Sequence, residues 1–242
     1  MSLNLNGFLQ AFEICCRFNV TTVTDNFVAP ACDEEIEILF QDESILLINK
    51  PSGLLSLSGK NPLNKDSVHF RLVQQFPTAT MVHRLDFGTS GVMLLALNRT
   101  ANANLTRQFQ DRTVKKNYVA ILDGCVEGNE GYIDAPIAKD GPNFPLLKIC
   151  HSSGKRALSH YLVLERLNKP RRSRVLFTPQ TGRTHQLRLH SRELGHPILG
   201  CDLYGSERTL SMADRMLLHA QSLEFDHPDS SQRLQFTCVC PF

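Results

Sequence analysis

The residues whose types and spacing could do chemistry lie in three short segments, at residues 83–86, 115–120 and 181–190. The first places Asp86 two residues after Arg84, in a turn rich in Gly, Thr and Ser. An ionised carboxylate on a rigid turn can serve as a nucleophile or as a base. An Asx turn, in which the Asp86 side chain bonds the backbone of Gly88 or Thr89, explains the same residues without chemistry.

The other two segments add a phenol and several cations. Residues 115–120 place Tyr118 beside two lysines at the start of a strand-like apolar run, and residues 181–190 place Arg183 just ahead of a predicted helix. Each also has a purely structural explanation, as a strand edge and as a capped helix with a basic face. Only the combination is informative.

Two other patterns that resemble chemical sites are incomplete. The segment Gly53–Lys60 has one residue too many between its glycines for a phosphate-binding loop, and Asn61 stands where that loop needs Ser or Thr. His185, His190 and His196 lack the spacing and the glutamate of a zinc-binding helix. We therefore expect neither a nucleotide cofactor nor a metal.

Composition limits the class of protein. The chain has 242 residues, a net charge of +2, and eight cysteines without a Cys-x-x-Cys pair, which is typical of a globular protein with reduced thiols in the cytoplasm. It has no apolar run of about 20 residues and no secretory signal, so we expect no membrane partner. Basic clusters at residues 115–116, 155–156 and 169–174 are either solvated faces or contacts for nucleic acid.

The elements that must position these residues follow from the hydrophobic pattern. Apolar runs flank the Asp86 segment on both sides and predict strands, and residues 118–122 predict another. The predicted helices cover residues 66–73, 100–110 and 185–194, the last with Thr184 as its N-cap and Gly195 as its C-cap. Many strands, few helices and no regular βαβ alternation predict an α+β fold with a largely antiparallel sheet. We expect one domain over residues 36–242, after an extension of uncertain order at residues 1–35.

Together the three segments resemble the signature of the RluA-type pseudouridine synthases. The matching residues are His83-Arg84-Leu85-Asp86, Thr89-Ser90-Gly91, Tyr118-Val119-Ala120 and Gly182-Arg183-Thr184-His185-Gln186-Leu187-Arg188. Further matches lie at residues 49–54, 65–68, 107–109 and 194–200, so the resemblance covers residues 36–242 in family order. It implies the catalytic fold of that family, which is an α+β domain with a bent, mixed, largely antiparallel sheet, flanking helices and loops, and a central RNA-binding cleft.

The resemblance implies that Asp86, Tyr118 and Arg183 are catalytic. The aspartate would attack the ribose C1′ or act there as a base, and Arg183 would be the cation that keeps it ionised. Tyr118 would stack on the uracil and remove its C5 proton. The reaction exchanges an N-glycosidic for a C-glycosidic bond and requires no cofactor.

The resemblance also implies how the RNA is held. The target uridine must leave its stack, and Arg84 would occupy the vacated space. Further RNA contacts would come from His83, Lys115, Lys116 and Arg188, and the pocket would include Leu187 and Thr89.

Substrate and assembly are implied more loosely. The extension is too short for the S4 RNA-binding domain of many relatives, which favours the short, single-domain branch of the family. That branch acts on 23S ribosomal RNA and a tRNA anticodon stem-loop, and we expect one or both as substrate and a monomeric enzyme. A non-catalytic RNA-binding or assembly factor, and an Asp-dependent hydrolase of a small molecule, are the alternatives.

Overall fold

A computed structural model describes residues 27–242 of the chain. The strands are β1 (Glu37–Gln41), β2 (Ile45–Lys50), β3 (Thr80–Met81), β4 (Ser90–Ala96), β5 (Lys115–Asp123), β6 (Glu130–Asp134), β7 (Ile137–Lys139), β8 (Leu147–Ile149), β9 (Leu158–Asn168), β10 (Arg171–Pro179), β11 (Leu218–Asp226) and β12 (Arg233–Thr237). The α-helices are α1 (Val68–Leu72), α2 (Arg99–Asp111), α3 (Gln186–Glu193) and α4 (Glu207–Leu210).

One large sheet organises the described residues. Its main path runs β1-β2-β4-β11-β5-β10-β9-β6, with β3 paired to β4 and β12 paired to β11. All of these neighbours are antiparallel except β4 and β11, which are parallel. The sheet is therefore mixed but largely antiparallel, as predicted, and it divides into an N-terminal and a C-terminal part that meet at β11.

The junction at β11 brings the predicted site segments together. Ala220 of β11 is paired with Gly91 of β4 on one side and with Tyr118 of β5 on the other. Gly91 has a φ of +116°, and a Cβ at this position would overlap the Ala220 carbonyl oxygen. Only glycine therefore allows β4, which follows the Asp86 turn directly, to approach β11 this closely.

The core lies in three clusters on the two faces of this sheet. One cluster joins β5, β10 and α3 and includes Phe177 and Leu187, and another joins β2, β4 and α1. Tyr118 packs against both. A third cluster lies under α2, where Leu105 and Phe109 share one helix face, as their spacing of four residues predicts. Tyr118 thus lies where the two parts of the molecule meet.

The predicted helices are present, but the start of α3 differs. The residue before the helix is His185, in the left-handed region with a φ of +54°, and it makes no side-chain cap, so the predicted Thr184 N-cap is wrong. The turn is held by the Gln186 side chain instead, whose Oε1 accepts hydrogen bonds from the Arg183 N–H (3.0 Å) and the Thr181 hydroxyl (2.7 Å). The C-terminal prediction is confirmed, because Gly195 follows the helix with a φ of +85°.

The first described residues lie against the sheet domain. Residues 27–35 form no helix or strand, but they are hydrogen-bonded to residues that follow β2. Residues 1–26, which make up most of the predicted extension, lie outside the described residues, so the division at residue 35 stays a prediction. None of the helices formed by residues 27–242 is long and apolar enough to cross a membrane.

Candidate active site

The Asp86 turn is closed by the main chain and not by the aspartate side chain. The Thr89 N–H donates to the Asp86 carbonyl at 3.1 Å. Within residues 27–242, no backbone N–H donates to the Asp86 carboxylate, whose side chain is 26% exposed. The Asx-turn explanation is therefore wrong, and the carboxylate is left for another role.

The turn is braced from beneath by residues 50–56. Each carbonyl group from Leu85 to Thr89 accepts a hydrogen bond. Outside the turn itself, the donors are the Ser56 hydroxyl to residue 85 (2.6 Å), the Gly53 amide to residue 87 (3.0 Å), the Ser52 hydroxyl to residue 88 (2.8 Å) and the Lys50 ammonium to residue 89 (2.9 Å). A turn with all five acceptors satisfied can hold its side chain at a fixed position.

Lys50 is the residue beneath the Asp86 turn that the sequence analysis did not single out. Its side chain is 0% exposed, and its ammonium donates to the carbonyls of Pro51 (2.8 Å), Phe87 (3.1 Å) and Thr89 (2.9 Å). Burial lowers the pKa of Lys50 to about 7, and the negative charge of Asp86 opposes this shift. The available signal was a lysine that ends an apolar strand just before Pro-Ser-Gly, which we noted only as part of a family match.

The cation beside Asp86 is Arg188. Its Nη1 lies 3.7 Å from Asp86 Oδ2, and its Nη2 forms an ion pair with Asp202. The Arg188 side chain is 4% exposed, because it lies in α3 against Cys201 and over the ring of Tyr204. Arg188 is thus held in place on three sides, and its role as an RNA contact stays a prediction.

Arg183, the predicted partner of Asp86, is directed elsewhere. Its Nε donates to the Arg156 carbonyl at 3.0 Å, and it forms no ion pair with Asp86 in the part of the chain that the structure describes. The physical reason is the Arg156 carbonyl, which binds the Arg183 guanidinium instead. Because the Gln186 side chain holds residues 181–186 in a turn, Arg183 precedes α3 and only Arg188 projects from its buried side.

Tyr118 and Leu187 line the same region as Asp86. Burial raises the pKa of Tyr118, and the nearby Asp86 carboxylate raises it further, so the phenol keeps its proton at neutral pH. Leu187 is buried in the cluster against which Tyr118 packs. Thr89 is also buried, and its carbonyl is one of the Lys50 acceptors. Thr89 thus belongs to the turn itself, Leu187 packs in a cluster that Tyr118 contacts, and their role as pocket residues stays a prediction.

The two lysines of β5 lie on opposite faces of the sheet. Because strand side chains alternate, Lys116 shares a face with Tyr118 and Lys115 does not. Lys115 forms an ion pair with Glu224 of β11 at 3.3 Å. The Lys116 ammonium lies over the Phe109 ring and close to Gly182, and burial lowers the pKa of this lysine.

Arg84 and the basic hairpin present exposed cations at very different distances from the site. Arg84 is exposed and makes no hydrogen bond or ion pair within residues 27–242. Residues 169–174 form the β9–β10 hairpin, where Arg172 pairs with Asp123 at the end of β5 remote from Tyr118. At about 3.3 Å per residue the hairpin is on the order of 17 Å from the strand positions of the site.

The His83 side chain is held by a hydrogen bond and by ring stacking within the fold. Its Nε2 accepts a hydrogen bond from the Leu94 N–H at 3.0 Å, and its ring stacks on Phe109 with centroids 4.7 Å apart. Burial lowers the pKa of His83 to about 3, and the charge of Lys116 acts in the same direction. The imidazole is therefore neutral and anchors the segment that leads into the Asp86 turn.

This environment predicts an acid-sensitive fold. An unfolded histidine takes up its proton near pH 6.5 and the folded His83 does not, so its stabilising contribution is complete above pH 6.5 and is lost as the pH falls towards 3. We expect His83 alone to lower the free energy of unfolding by about 1.5 kcal/mol between pH 6.5 and pH 5. Urea unfolding of the wild type and His83→Gln at both pH values would measure this difference, and equal pH dependence in the two proteins would contradict it.

The remaining histidines of the third segment serve the fold. His185 is hydrogen-bonded to the Tyr204 hydroxyl at 2.8 Å, and His190 is fully buried between Ser159 and the Ala135 carbonyl. No group of three His, Cys, Asp or Glu side chains among the described residues is arranged to hold a metal ion.

The chain is similar to known proteins over most of its length. Residues 44–193 match the RNA pseudouridylate synthase family. The chain is 46% identical over 205 residues to the dual-specificity RNA pseudouridine synthase RluA of Yersinia pestis, covering 85% of this chain and 99% of that protein. The RluA of Escherichia coli K12 is 44% identical over 213 residues, covering 88% and 97%.

Solved structures support the fold. Human RNA pseudouridylate synthase domain containing 1 superimposes with a TM-score of 0.74 at 31% identity, over 88% of this chain and 86% of that one. Human RNA pseudouridylate synthase domain containing 4 gives a TM-score of 0.68 at 26% identity. The predicted fold class is thereby confirmed.

Proposed function

This chain belongs to the RluA-type RNA pseudouridylate synthases and is an isomerase that acts on RNA, and from that premise we propose that Asp86, Tyr118 and Arg188 form its catalytic centre. The observation that carries the proposal is the Asp86 carboxylate on its braced turn, 3.7 Å from a buried guanidinium. This assignment replaces Arg183 by Arg188 in the role that the sequence analysis gave to a cation.

The chemistry follows from the charges. The bond between uracil N1 and ribose C1′ breaks, the detached uracil turns, and a new bond forms between C5 and C1′. C5 loses its proton and N1 gains one, so the product is an isomer of the substrate. Asp86 assists as a nucleophile at C1′ or as a base at the ribose, and both roles use an ionised carboxylate. Arg188 stabilises that negative charge from a buried position.

The surroundings of Tyr118 favour a role in stacking on the uracil over a role in removing the C5 proton. Its ring packs at the junction of two core clusters, which gives a flat apolar surface beside Asp86. Its pKa is raised, so removal of the C5 proton by Tyr118 would require the hydroxyl first to lose its own proton. We therefore assign the ring to holding the uracil while it turns.

Arg84 is proposed to open the RNA. A stacked uridine cannot reach Asp86, and extruding it costs a few kcal/mol. Arg84 is exposed, planar and cationic, and it lies two residues before Asp86, so it could stack in the gap that the uridine leaves. Lys116, on the Tyr118 face of β5, is the better placed of the two lysines to hold a phosphate near the pocket.

For substrates, we propose 23S ribosomal RNA, a tRNA anticodon stem-loop, or both. The support is the similarity to relatives named dual-specificity RNA pseudouridine synthases. We expect the enzyme to act as a monomer, since all three proposed catalytic side chains come from one chain. We expect it to act in the cytoplasm, where the proposed substrates are found.

Incubation with unmodified tRNA and 23S RNA fragments tests this function. We expect pseudouridine, mapped by carbodiimide-dependent primer stops, at one defined uridine in at least one of the two RNAs. Salt-sensitive RNA binding without any pseudouridine would instead favour the non-catalytic RNA-binding factor. Stops at many unrelated uridines would contradict a specific substrate.

A further inference from the structure

The first described residues contact two loops at once. We call residues 27–34 the N-terminal strap and residues 57–66, between β2 and α1, the outer loop. The Asn64 side chain, which is buried, accepts from the Ala29 N–H at 2.7 Å and donates to the Phe27 carbonyl at 2.7 Å. The two hydrogen bonds of this side-chain amide resemble the paired backbone bonds of a β-bridge, and they join the strap to the outer loop.

A second contact fastens the other end of the strap. The Arg71 guanidinium in α1 donates to the carbonyls of Cys32 and Glu34, the latter at 2.7 Å. The same guanidinium is held by Asp66 at the end of the outer loop, with Nη2 2.6 Å from Oδ2. Bidentate pairing of this kind fixes orientation as well as distance.

The strap and the outer loop also meet the Asp86 turn. The Phe27 ring lies edge-on to Phe87, with centroids 5.5 Å apart. Ser56, at the base of the outer loop, bonds both the carbonyl (2.6 Å) and the N–H (3.2 Å) of Leu85. Phe87 therefore contacts the strap, and Leu85 is bonded to the base of the outer loop. Both neighbours of Asp86 are thus joined to these two segments.

The outer loop presents a surface suited to RNA. Leu57 and Leu63 are exposed, Leu63 by 73%, and Lys60 and Lys65 are exposed cations in the same loop. Apolar side chains among cations beside the pocket match what an unstacked RNA offers, which is flat bases and phosphates. Inside the loop, the Gly59 N–H bonds the Asn64 carbonyl at 2.8 Å, so the residue that the strap holds also closes the loop.

We propose that the N-terminal strap holds the outer loop, before RNA arrives, in the conformation that receives the RNA. The strap is then a positioning element of the synthase, and this part of the inference rests on the proposed function. Its contribution is to binding, because a loop that occupies the competent conformation only part of the time weakens apparent affinity by that fraction.

Two truncations separate the strap from the residues before it. One removes residues 1–26 and keeps the strap, and the other removes residues 1–34. Limited trypsin digestion measures directly how often the outer loop opens, since Lys60 and Lys65 are cleavage sites within it. We expect cleavage at these lysines to accelerate at least ~10-fold when residues 1–34 are removed and in the full-length Asn64→Ala variant. Removal of residues 1–26 should leave the cleavage rate unchanged.

Activity provides the second readout. In the protein that lacks residues 1–34 and in Asn64→Ala, we expect KM for the RNA to rise ~10-fold. The single-turnover rate at saturating RNA should stay within about threefold of the rate of the full chain. Melting temperatures above the assay temperature would show that every variant is folded.

Several results would overturn the proposal. They are unchanged trypsin cleavage in both strap variants, an equal effect in the two truncations, or faster cleavage with an unchanged KM. Absence of pseudouridine with the full chain would contradict the proposed function instead, and trypsin cleavage would still decide whether the strap holds the loop.

Discussion

Asp86→Asn is expected to reduce pseudouridine formation by at least ~10⁴-fold while RNA affinity stays within about threefold, because it removes the reacting charge and keeps the shape. The five carbonyl bonds that brace the turn do not involve the carboxylate, so the amide should occupy the same position. Single-turnover conversion of the tRNA or 23S fragment measures the first effect, and filter binding measures the second.

Asp202→Asn is the matched control. It makes the same carboxylate-to-amide change on the other partner of Arg188, but the Asp202 side chain is 59% exposed. We expect a loss of less than ~10-fold from this change, since an exposed ion pair contributes little. Equal losses in the two variants would mean that the charge balance around Arg188 matters and that Asp86 itself does not react.

Arg188→Met is expected to lower the single-turnover rate by at least ~100-fold, since it removes the buried cation that faces the reacting carboxylate. Arg183→Met is the comparison, because Arg183 bonds a backbone carbonyl and should cost less than ~10-fold through weaker RNA contact. The same conversion assay at saturating RNA separates the two effects from binding.

Arg188 is buried, so its removal also tests the fold. Melting temperatures identify a variant that fails to fold, and Arg188→Lys keeps the charge and should recover part of the lost rate. A larger loss from Arg183→Met than from Arg188→Met would restore the assignment made from the sequence alone.

The meeting of the three segments was implied by the family resemblance, whereas the elements that carry them were predicted from local patterns. The Asp86 turn, the Tyr118 strand and the residue 181–190 turn are local patterns of apolar runs interrupted by glycine and polar residues, and such patterns determine backbone paths well. The α+β fold and helix α2 follow from the same patterns, since Leu105 and Phe109 mark the buried face of that helix.

The choice between the two arginines was beyond such patterns. Both arginines lie where the predicted helix places them, Arg183 ahead of it and Arg188 within it. Only the packing of α3 against the Asp86 turn shows which guanidinium lies beside the carboxylate. Thr184 was the better N-cap by propensity, but its side chain is not used.

Lys50 and the strap were missed for a related reason. A lysine is normally placed at the surface, and only the three carbonyls that converge on its ammonium explain its complete burial. Residues 27–34 show no periodic hydrophobic pattern. Their partners Asn64 and Arg71 lie 35 or more residues away in the chain. Contacts of this range leave no local signal.

The position of β11 has a consequence for the order of assembly. Asp86 lies just before β4 in the N-terminal part of the sheet, whereas Tyr118 on β5 and Arg188 on α3 belong to the C-terminal part. Ala220 is the residue that lies between Gly91 and Tyr118. Until residues 218–220 have been synthesised and inserted, the two parts share no edge along which to align. The pocket is therefore completed late, and a growing chain that has made Asp86, Tyr118 and Arg188 still lacks the strand that brings them together.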